Sequence, residues 1–151
     1  MNRVVKPIVR IVGVEVKAPF TAFYMTKAIR PRLWQELQAR KNEIGYQAKK
    51  DMFIGITLRQ NRTYHYIAGI EVTNIRHVPD GMVSMTIPTR EYSVYNHSGF
   101  NEREETDQTY FFVLEKMKKQ GLSHDPDAYS LEIFNPVEEN EATIYVPLKE
   151  S

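Results

Sequence analysis

The spacing of apolar and polar residues changes along the chain and predicts the order strand, helix, strand, strand. Residues 7–17 are rich in β-branched side chains and roughly alternate, which predicts the first strand. A helix is predicted next, with Pro31 in its first turn and its last apolar position at Ala39. Residues 51–60 and 63–73 alternate again and are separated by a short polar turn, which predicts a hairpin.

The same order is predicted a second time in the rest of the chain. Residues 82–97 predict a strand that is interrupted or bent near Pro88, because proline has no amide hydrogen to give to a sheet. Residues 104–119 predict a second helix, with acidic residues at its start and lysines at its end. Two closing strands are predicted at 129–135 and 142–149.

This repetition predicts an α+β fold built from a duplicated β-α-β-β unit with pseudo-twofold symmetry. We expect two antiparallel-sheet halves with one helix each and a ligand cleft between them. The first repeat covers about 7–77 and the second about 82–150, within a single domain at 1–151. A chain of this length buries roughly two-thirds of the surface that its unfolded form would expose, which suits one core.

The predicted inner strands have two faces of different composition. Alternation places aromatic residues and a single acid on one face and aliphatic residues on the other. The mixed face comprises Phe53, Gly55, Thr57, Glu132 and Phe134, and the aliphatic face comprises Ile54, Ile56, Leu58, Leu131 and Ile133. We expect the aliphatic face to pack on the helix of its own half, so that the mixed face looks into the cleft.

The cleft is the candidate ligand-binding site. Approximate superposition of the two repeats pairs Trp34 with Phe111, Gly55 with Glu132, and Tyr66 with Tyr145. The candidate ligand-binding residues are Glu132, Tyr145, Tyr66, Trp34, Phe53, Phe111 and Phe134. Two alternatives stay open at this point. The aromatic residues could be ordinary core, and Glu132 could form a structural ion pair with Arg90, Lys116 or another base.

Composition narrows the classes of partner. The chain has 20 lysines and arginines against 19 aspartates and glutamates, so its net charge of +1 predicts no direct contact with nucleic acid. It has no cysteine, and its four histidines are scattered, so we predict no metal and no cofactor. No apolar run at the start is long enough for a signal peptide or a membrane span, which predicts a cytoplasmic protein without a membrane partner.

Several segments together resemble the gyrase-inhibitor-like family, also described as the effector-binding domain of AraC-type and MerR-type multidrug regulators. The resemblance covers nearly the whole chain. It is carried by Leu33-Trp34-Gln35, the segment from Tyr66 to Val72, the segment from Met82 to Pro88, the segment from Glu91 to Gly99, the segment from Leu131 to Phe134, and the segment from Ile144 to Leu148.

The resemblance implies a hydrophobic pocket between two pseudo-symmetric halves. Family members that bind lipophilic cations use a buried glutamate, and the matching position here is Glu132. A carboxylate in an apolar wall is costly without a partner, and a cationic ligand held against aromatic rings supplies one. The family's regulators carry a DNA-binding domain ahead of this unit, whereas Met1 lies almost at the first predicted strand. We therefore expect a stand-alone module that acts through a separate regulator, if through any.

Three functions follow as hypotheses. The first is capture or sensing of lipophilic, cationic small molecules. The second is hydrolysis of reactive-ring DNA-alkylating compounds, as in some family members, with Glu132 as base and Tyr145 as positioning group. The third is protein binding, as in a DNA gyrase inhibitor, for which the acidic turn at 136–141 is the candidate surface.

Overall fold

The computed structural model describes residues 2–19, 23–49, 52–60, 63–98, 112–134 and 141–149. Within these residues the chain forms eight strands and two α-helices, and a short 3-10 helix (Lys41–Glu43) follows the first α-helix. In chain order they are β1 (Asn2–Lys6), β2 (Val9–Pro19), α1 (Phe23–Arg40), β3 (Phe53–Gln60), β4 (Thr63–Val72), β5 (Val83–Ile87), β6 (Arg90–Ser98), α2 (112–119), β7 (Ser130–Phe134) and β8 (Glu141–Pro147). The predicted α+β class is confirmed.

The strands form one antiparallel sheet with the order β1-β6-β8-β7-β3-β4-β2-β5. The two predicted antiparallel halves are joined edge to edge into this one sheet, because β3 and β7 pair directly. Residues from both ends of the sheet meet in one apolar cluster, which includes Ile11 of β2, Ile87 of β5 and Tyr92 of β6. The sheet is therefore curled around this cluster.

Pro7 and Pro88 each lie between two consecutive strands. The run predicted at residues 7–17 is in fact the second strand of the structure, because the chain leaves the sheet at Pro7 after the unpredicted strand β1. β1 pairs with β6, whereas β2 pairs with β4 and β5. The predicted interruption near Pro88 is confirmed, since β5 ends at Ile87 and β6 begins at Arg90. The strands that precede Pro7 and Pro88, β1 and β5, thus each pair with a strand of the other repeat.

The helix α1 starts earlier than predicted. Pro31 lies inside the helix, which begins at Phe23, so the assignment of Pro31 to the first turn is wrong. A proline inside a helix removes one backbone hydrogen bond. Neighbouring turns and the packing of Leu33 and Leu37 on the sheet hold the helix together across this position.

The two faces of the sheet pack in the opposite way to the prediction. Leu33, Trp34 and Leu37 of α1 share one cluster with Phe53 and Tyr66, so the helix covers the mixed face. The aliphatic face lies on the other side, in the cluster around which the sheet curls. That cluster contains Ile54, Ile56 and Leu131, with Ile133 packed against it. Both faces are apolar enough to be buried, and alternation alone does not say which of them meets a helix.

The second helix ends as the sequence predicts. Gly121 has a φ of 74°, and the amide of Leu122 donates to the carbonyl of Met117 at 2.9 Å, which is the hydrogen bond of a Schellman motif. Val113 and Met117 of α2 pack on Ile144 of β8. The predicted start of this helix, at 104–111, lies outside the described residues.

Candidate ligand-binding site

Glu132 lies in the middle of the sheet, on the face that α1 covers. It pairs with Gly55 of β3 on one side and with Ile144 of β8 on the other. Gly55 in turn pairs with Ala68 of β4, and Ala68 with Val14 of β2. Directly paired residues in an antiparallel sheet share a face, so these five residues form one row across the strands. Glu132 is the charged member of the row and is 8% exposed.

Gly55 makes room beside this carboxylate. A Cβ atom added at Gly55 would lie 2.7 Å from the hydroxyl oxygen of Tyr66 and 3.3 Å from Cζ2 of Trp34. These two side chains therefore lie over the glycine, in the position next to Glu132. A residue with a side chain at this place would separate the carboxylate from the aromatic rings.

The aromatic residues near Gly55 form a connected stack. The rings of Trp34 and Phe53 are stacked, with centroids 5.7 Å apart and planes 7° apart. The Tyr66 ring meets Trp34 edge to face at 6.1 Å and stacks on Tyr64 at 6.2 Å. All four are buried. The structure thus brings together four of the predicted site residues, namely Trp34, Phe53, Tyr66 and Glu132, and adds Tyr64.

Arg30 is the residue of this site that sequence reasoning missed. Its Nη2 lies 3.8 Å from Oε2 of Glu132, and its guanidinium carbon lies 4.5 Å from the centre of the Tyr66 ring. Both members of the pair are buried, with Arg30 3% exposed. The predicted partners of Glu132 were Arg90, Lys116 or another base, and the structure identifies that other base as Arg30. The sequence gives little sign of this role, because a proline is typical of a first helical turn and Pro31 therefore places Arg30 outside the predicted helix.

Neither Arg90 nor Lys116, the two bases named in the prediction, is among the contacts found for Glu132 in the described part of the chain. Arg90 donates to the carboxylate of Asp125 and, at 3.0 Å, to the carbonyl of Leu148. The Nζ of Lys116 lies 5.8 Å from the centre of the Tyr95 ring and 5.0 Å from that of Phe112. These contacts belong to the second half of the sheet and its helix.

Tyr145 lies on the opposite face of the sheet from Glu132. It pairs with Leu131 and packs in the aliphatic cluster, where it meets Tyr92 edge to face at 6.0 Å. Burial there raises the pKa of Tyr145. The predicted equivalence of Tyr66 and Tyr145 is wrong because the two face opposite ways. The predicted catalytic pair of Glu132 and Tyr145 is wrong for the same reason, since the sheet separates the two side chains.

The remaining predicted residues fall at the limits of the described structure. The backbone of Phe134 pairs with that of Phe53, and the side chain of Phe134 is outside the described part. Phe111 and residues 136–140 of the predicted acidic turn at 136–141 also lie outside the described residues, and Glu141 begins β8. In the part of the chain that is described, neither helix combines the length and the apolar character needed to cross a membrane.

The fold is thus a curled antiparallel sheet, and the helix α1 covers the face that carries Glu132 and the aromatic side chains. The chain belongs to the family of integron-associated effector binding proteins, whose sequence profile matches residues 4–148. The predicted resemblance to the effector-binding domains of regulators is thereby confirmed.

Individual relatives agree with this assignment. The transcriptional regulator BrlR of Pseudomonas aeruginosa is 29% identical over 122 residues, which cover 78% of this chain and 45% of BrlR. The chain thus spans about half the length of that curated relative.

Two solved structures share the fold. SAV2435 bound to tetraphenylphosphonium has a TM-score of 0.77 at 14% identity, over 99% of this chain and 94% of that one. The integron cassette protein VCH_CASS2 from the mobile metagenome of Vibrio cholerae has a TM-score of 0.73 at 11% identity, over 98% and 95%.

Proposed function

We propose that the chain binds lipophilic cations between α1 and the sheet, with Glu132 as the counter-charge. Its family is described as effector binding, which supports binding of a small molecule. The class of ligand rests on one observation. Glu132 is buried in the middle of the sheet, beside a glycine over which the side chains of Trp34 and Tyr66 lie.

The chemistry of these groups favours a large organic cation. A buried carboxylate is stabilised by a positive charge, which Arg30 supplies in this structure and which a ligand cation can supply in its place. Aromatic faces attract a cation by about 0.5 to 2 kcal/mol each and accept many shapes. The rings of Trp34, Phe53 and Tyr66 therefore offer apolar contact to ligands of different shapes. The carboxylate of Glu132 makes the site prefer ligands with a positive charge. SAV2435, which shares the fold, was solved with tetraphenylphosphonium bound.

Ligand entry requires a movement of α1 relative to the sheet. The ring of Trp34 and the hydroxyl of Tyr66 fill the space above Gly55, and Trp34 is stacked on Phe53. Of these three aromatic residues, Trp34 is the one carried by the helix. A ligand with several rings can replace the contacts of Trp34 once the helix has shifted.

Two further proposals concern organisation. The strand order is symmetric about the β3–β7 junction. The strands β7, β8 and β6 follow outward on one side as β3, β4 and β2 do on the other. This supports the duplicated β-α-β-β unit within a single ligand-binding domain. The likeness to BrlR, a transcriptional regulator, supports a sensing role in which the bound ligand acts through a regulator.

The test is a titration with tetraphenylphosphonium followed by the fluorescence of Trp34, the single tryptophan of the chain. Glu132→Gln is expected to weaken binding by about tenfold or more, since close charge pairs couple strongly. Glu91→Gln is the matched control, because Glu91 is a half-exposed carboxylate paired with Arg3 at the sheet surface. Neutral triphenylphosphine oxide should show no dependence on Glu132. Equal phosphonium affinity of the wild type and Glu132→Gln would rule out the charge role.

A further inference from the structure

We infer that Arg30 is an internal cation that occupies the charge position of the site and sets its specificity. The inference rests on the proposed cation site at Glu132. The guanidinium lies 3.8 Å from the carboxylate of Glu132 and 4.5 Å from the centre of the Tyr66 ring. These are the two kinds of contact that the site offers to a ligand cation, a carboxylate and an aromatic face. Arg30 and such a ligand therefore compete for the same groups.

Charge balance makes the competition exclusive. Arg30 and Glu132 are both buried, and together they carry no net charge. A second cation placed beside the intact pair would add a buried positive charge that this pair does not compensate, which is unfavourable. A cationic ligand can therefore bind Glu132 only if Arg30 leaves.

The sequence of α1 favours this displacement. Arg30 is followed by Pro31, which lies inside the helix and donates no backbone hydrogen bond. Moving this turn consequently breaks fewer hydrogen bonds than moving another turn of the same helix. Trp34 follows Arg30 by four residues and so lies on the same helix face. The departure of Arg30 and the unstacking of Trp34 from Phe53 are thus expected to occur together.

Displacement also defines which cations the site accepts. A small cation such as tetramethylammonium offers a charge in exchange for Arg30 but has no rings to replace the contacts of Trp34. A cation with several aromatic rings offers both. Arg30 thus makes the site selective for large lipophilic cations over small ones.

The test compares two probes of the same shape and opposite charge, tetraphenylphosphonium and tetraphenylborate. The proteins are the wild type, Arg30→Met, Glu132→Gln and the double variant, and binding is measured by Trp34 fluorescence and by equilibrium dialysis. Arg30→Met is expected to bind the phosphonium about tenfold more tightly than the wild type, because the competing cation is gone. Glu132→Gln keeps Arg30 and should prefer the borate. The double variant should show little preference for either charge.

The comparison of Glu132→Gln with the double variant keeps the test valid if Arg30→Met alone fails to fold. Neither of these proteins contains an unpaired carboxylate at the site, and they differ only in Arg30. The double variant is expected to bind the phosphonium more tightly than Glu132→Gln does. Equal or weaker binding whenever Arg30 is removed, with Glu132→Gln still weaker than the wild type, would overturn the role of Arg30 while leaving Glu132 as the counter-charge. Phosphonium binding that is the same in all four proteins would instead overturn the proposed function itself.

Discussion

Gly55 lies directly opposite Glu132 where β3 pairs with β7, at the junction of the two halves of the sheet. The missing side chain at Gly55 leaves the space in which the Tyr66 hydroxyl and the Trp34 ring lie beside the carboxylate. The site therefore depends on one register of two paired strands. A slip by a single residue would move Glu132 to the other face of the sheet, away from every aromatic residue of the site.

Gly55→Ala is expected to disturb the site and to lower stability. The new Cβ atom would lie 2.7 Å from the Tyr66 hydroxyl oxygen, which is closer than packed atoms allow, and 3.3 Å from the Trp34 ring, which is a tight contact. Overpacking of this kind costs about 1 to 3 kcal/mol. Denaturant unfolding should show the loss of stability, and the fluorescence of Trp34 should change in the folded protein.

Gly45→Ala is the matched control for this change. No heavy atom of the described structure lies within 4 Å of a Cβ added at Gly45. An alanine there restricts the unfolded chain without a clash, so stability should stay the same or rise by up to about 1 kcal/mol. An equal loss of stability in both variants would show that the space over Gly55 is not tightly filled.

The stability of the Arg30 and Glu132 variants is expected to be strongly non-additive. Removal of one partner leaves a buried charge and costs about 3 to 5 kcal/mol, whereas replacement of both partners by uncharged residues is often close to neutral. Arg30→Met and Glu132→Gln should therefore each lower the free energy of unfolding by more than the double variant does. Denaturant unfolding of the three variants measures the coupling.

The exposed pair of Arg3 and Glu91 gives the reference for this coupling. Its atoms are closer, at 2.8 Å, but the two side chains are 54% and 41% exposed. Solvent-exposed pairs contribute about 0 to 1 kcal/mol, so Glu91→Gln should be nearly neutral. If the losses of Arg30→Met and Glu132→Gln simply add in the double variant, the buried pair contributes no coupling.

The order of most strands and helices could be predicted because it is encoded locally. Pro88 interrupts the run that contains β5 and β6, and Gly121 adopts the positive φ that ends α2. Such signals act over a few residues and do not depend on the rest of the fold. β1 was missed since it is short and lies at the edge of the sheet, where little of its pattern is constrained.

The composition of the site was only partly predictable, because faces and registers are set by tertiary pairing. Alternation correctly separated Glu132 from Leu131, but it could not say that α1 covers the face of Glu132. Tyr145 was placed in the site by a superposition of the two repeats that shifted it to the wrong face. Arg30 was missed because a proline inside a helix looks, in the sequence, like the start of one.

Two tyrosines, the buried Tyr92 and the partly buried Tyr129, are expected to respond oppositely to removal of the hydroxyl group. The hydroxyl of Tyr92 is buried and has no hydrogen-bond partner among the described residues. Tyr92→Phe should therefore leave stability unchanged or raise it by about 1 kcal/mol. The hydroxyl of Tyr129 is hydrogen-bonded to Nδ1 of His65 at 2.7 Å. Tyr129→Phe should lower stability by about 1 kcal/mol. Thermal and denaturant unfolding of the two variants measures these changes. A large loss of stability in Tyr92→Phe would contradict the prediction.

Alkaline pH is expected to destabilise the protein through tyrosines on the aliphatic side of the sheet. Burial raises the pKa of Tyr92, Tyr129 and Tyr145 above the ordinary value of about 10. The folded protein keeps these protons at a pH at which the unfolded chain has released them, so stability falls as the pH rises above about 10. Lys6 acts in the opposite direction, because burial lowers its pKa. Because three tyrosines lower the stability at alkaline pH and one lysine raises it, we expect a net loss of stability.

Denaturant unfolding at a series of pH values, together with the ultraviolet absorbance of tyrosinate, measures this dependence. Tyr145→Phe removes one of the three protons and should make the alkaline loss of stability less steep. This variant leaves Glu132 and Trp34 untouched, because Tyr145 lies on the other face of the sheet. Its affinity for tetraphenylphosphonium should therefore equal that of the wild type at neutral pH. A marked loss of affinity in Tyr145→Phe would place the ligand on the aliphatic side and contradict the site at Glu132.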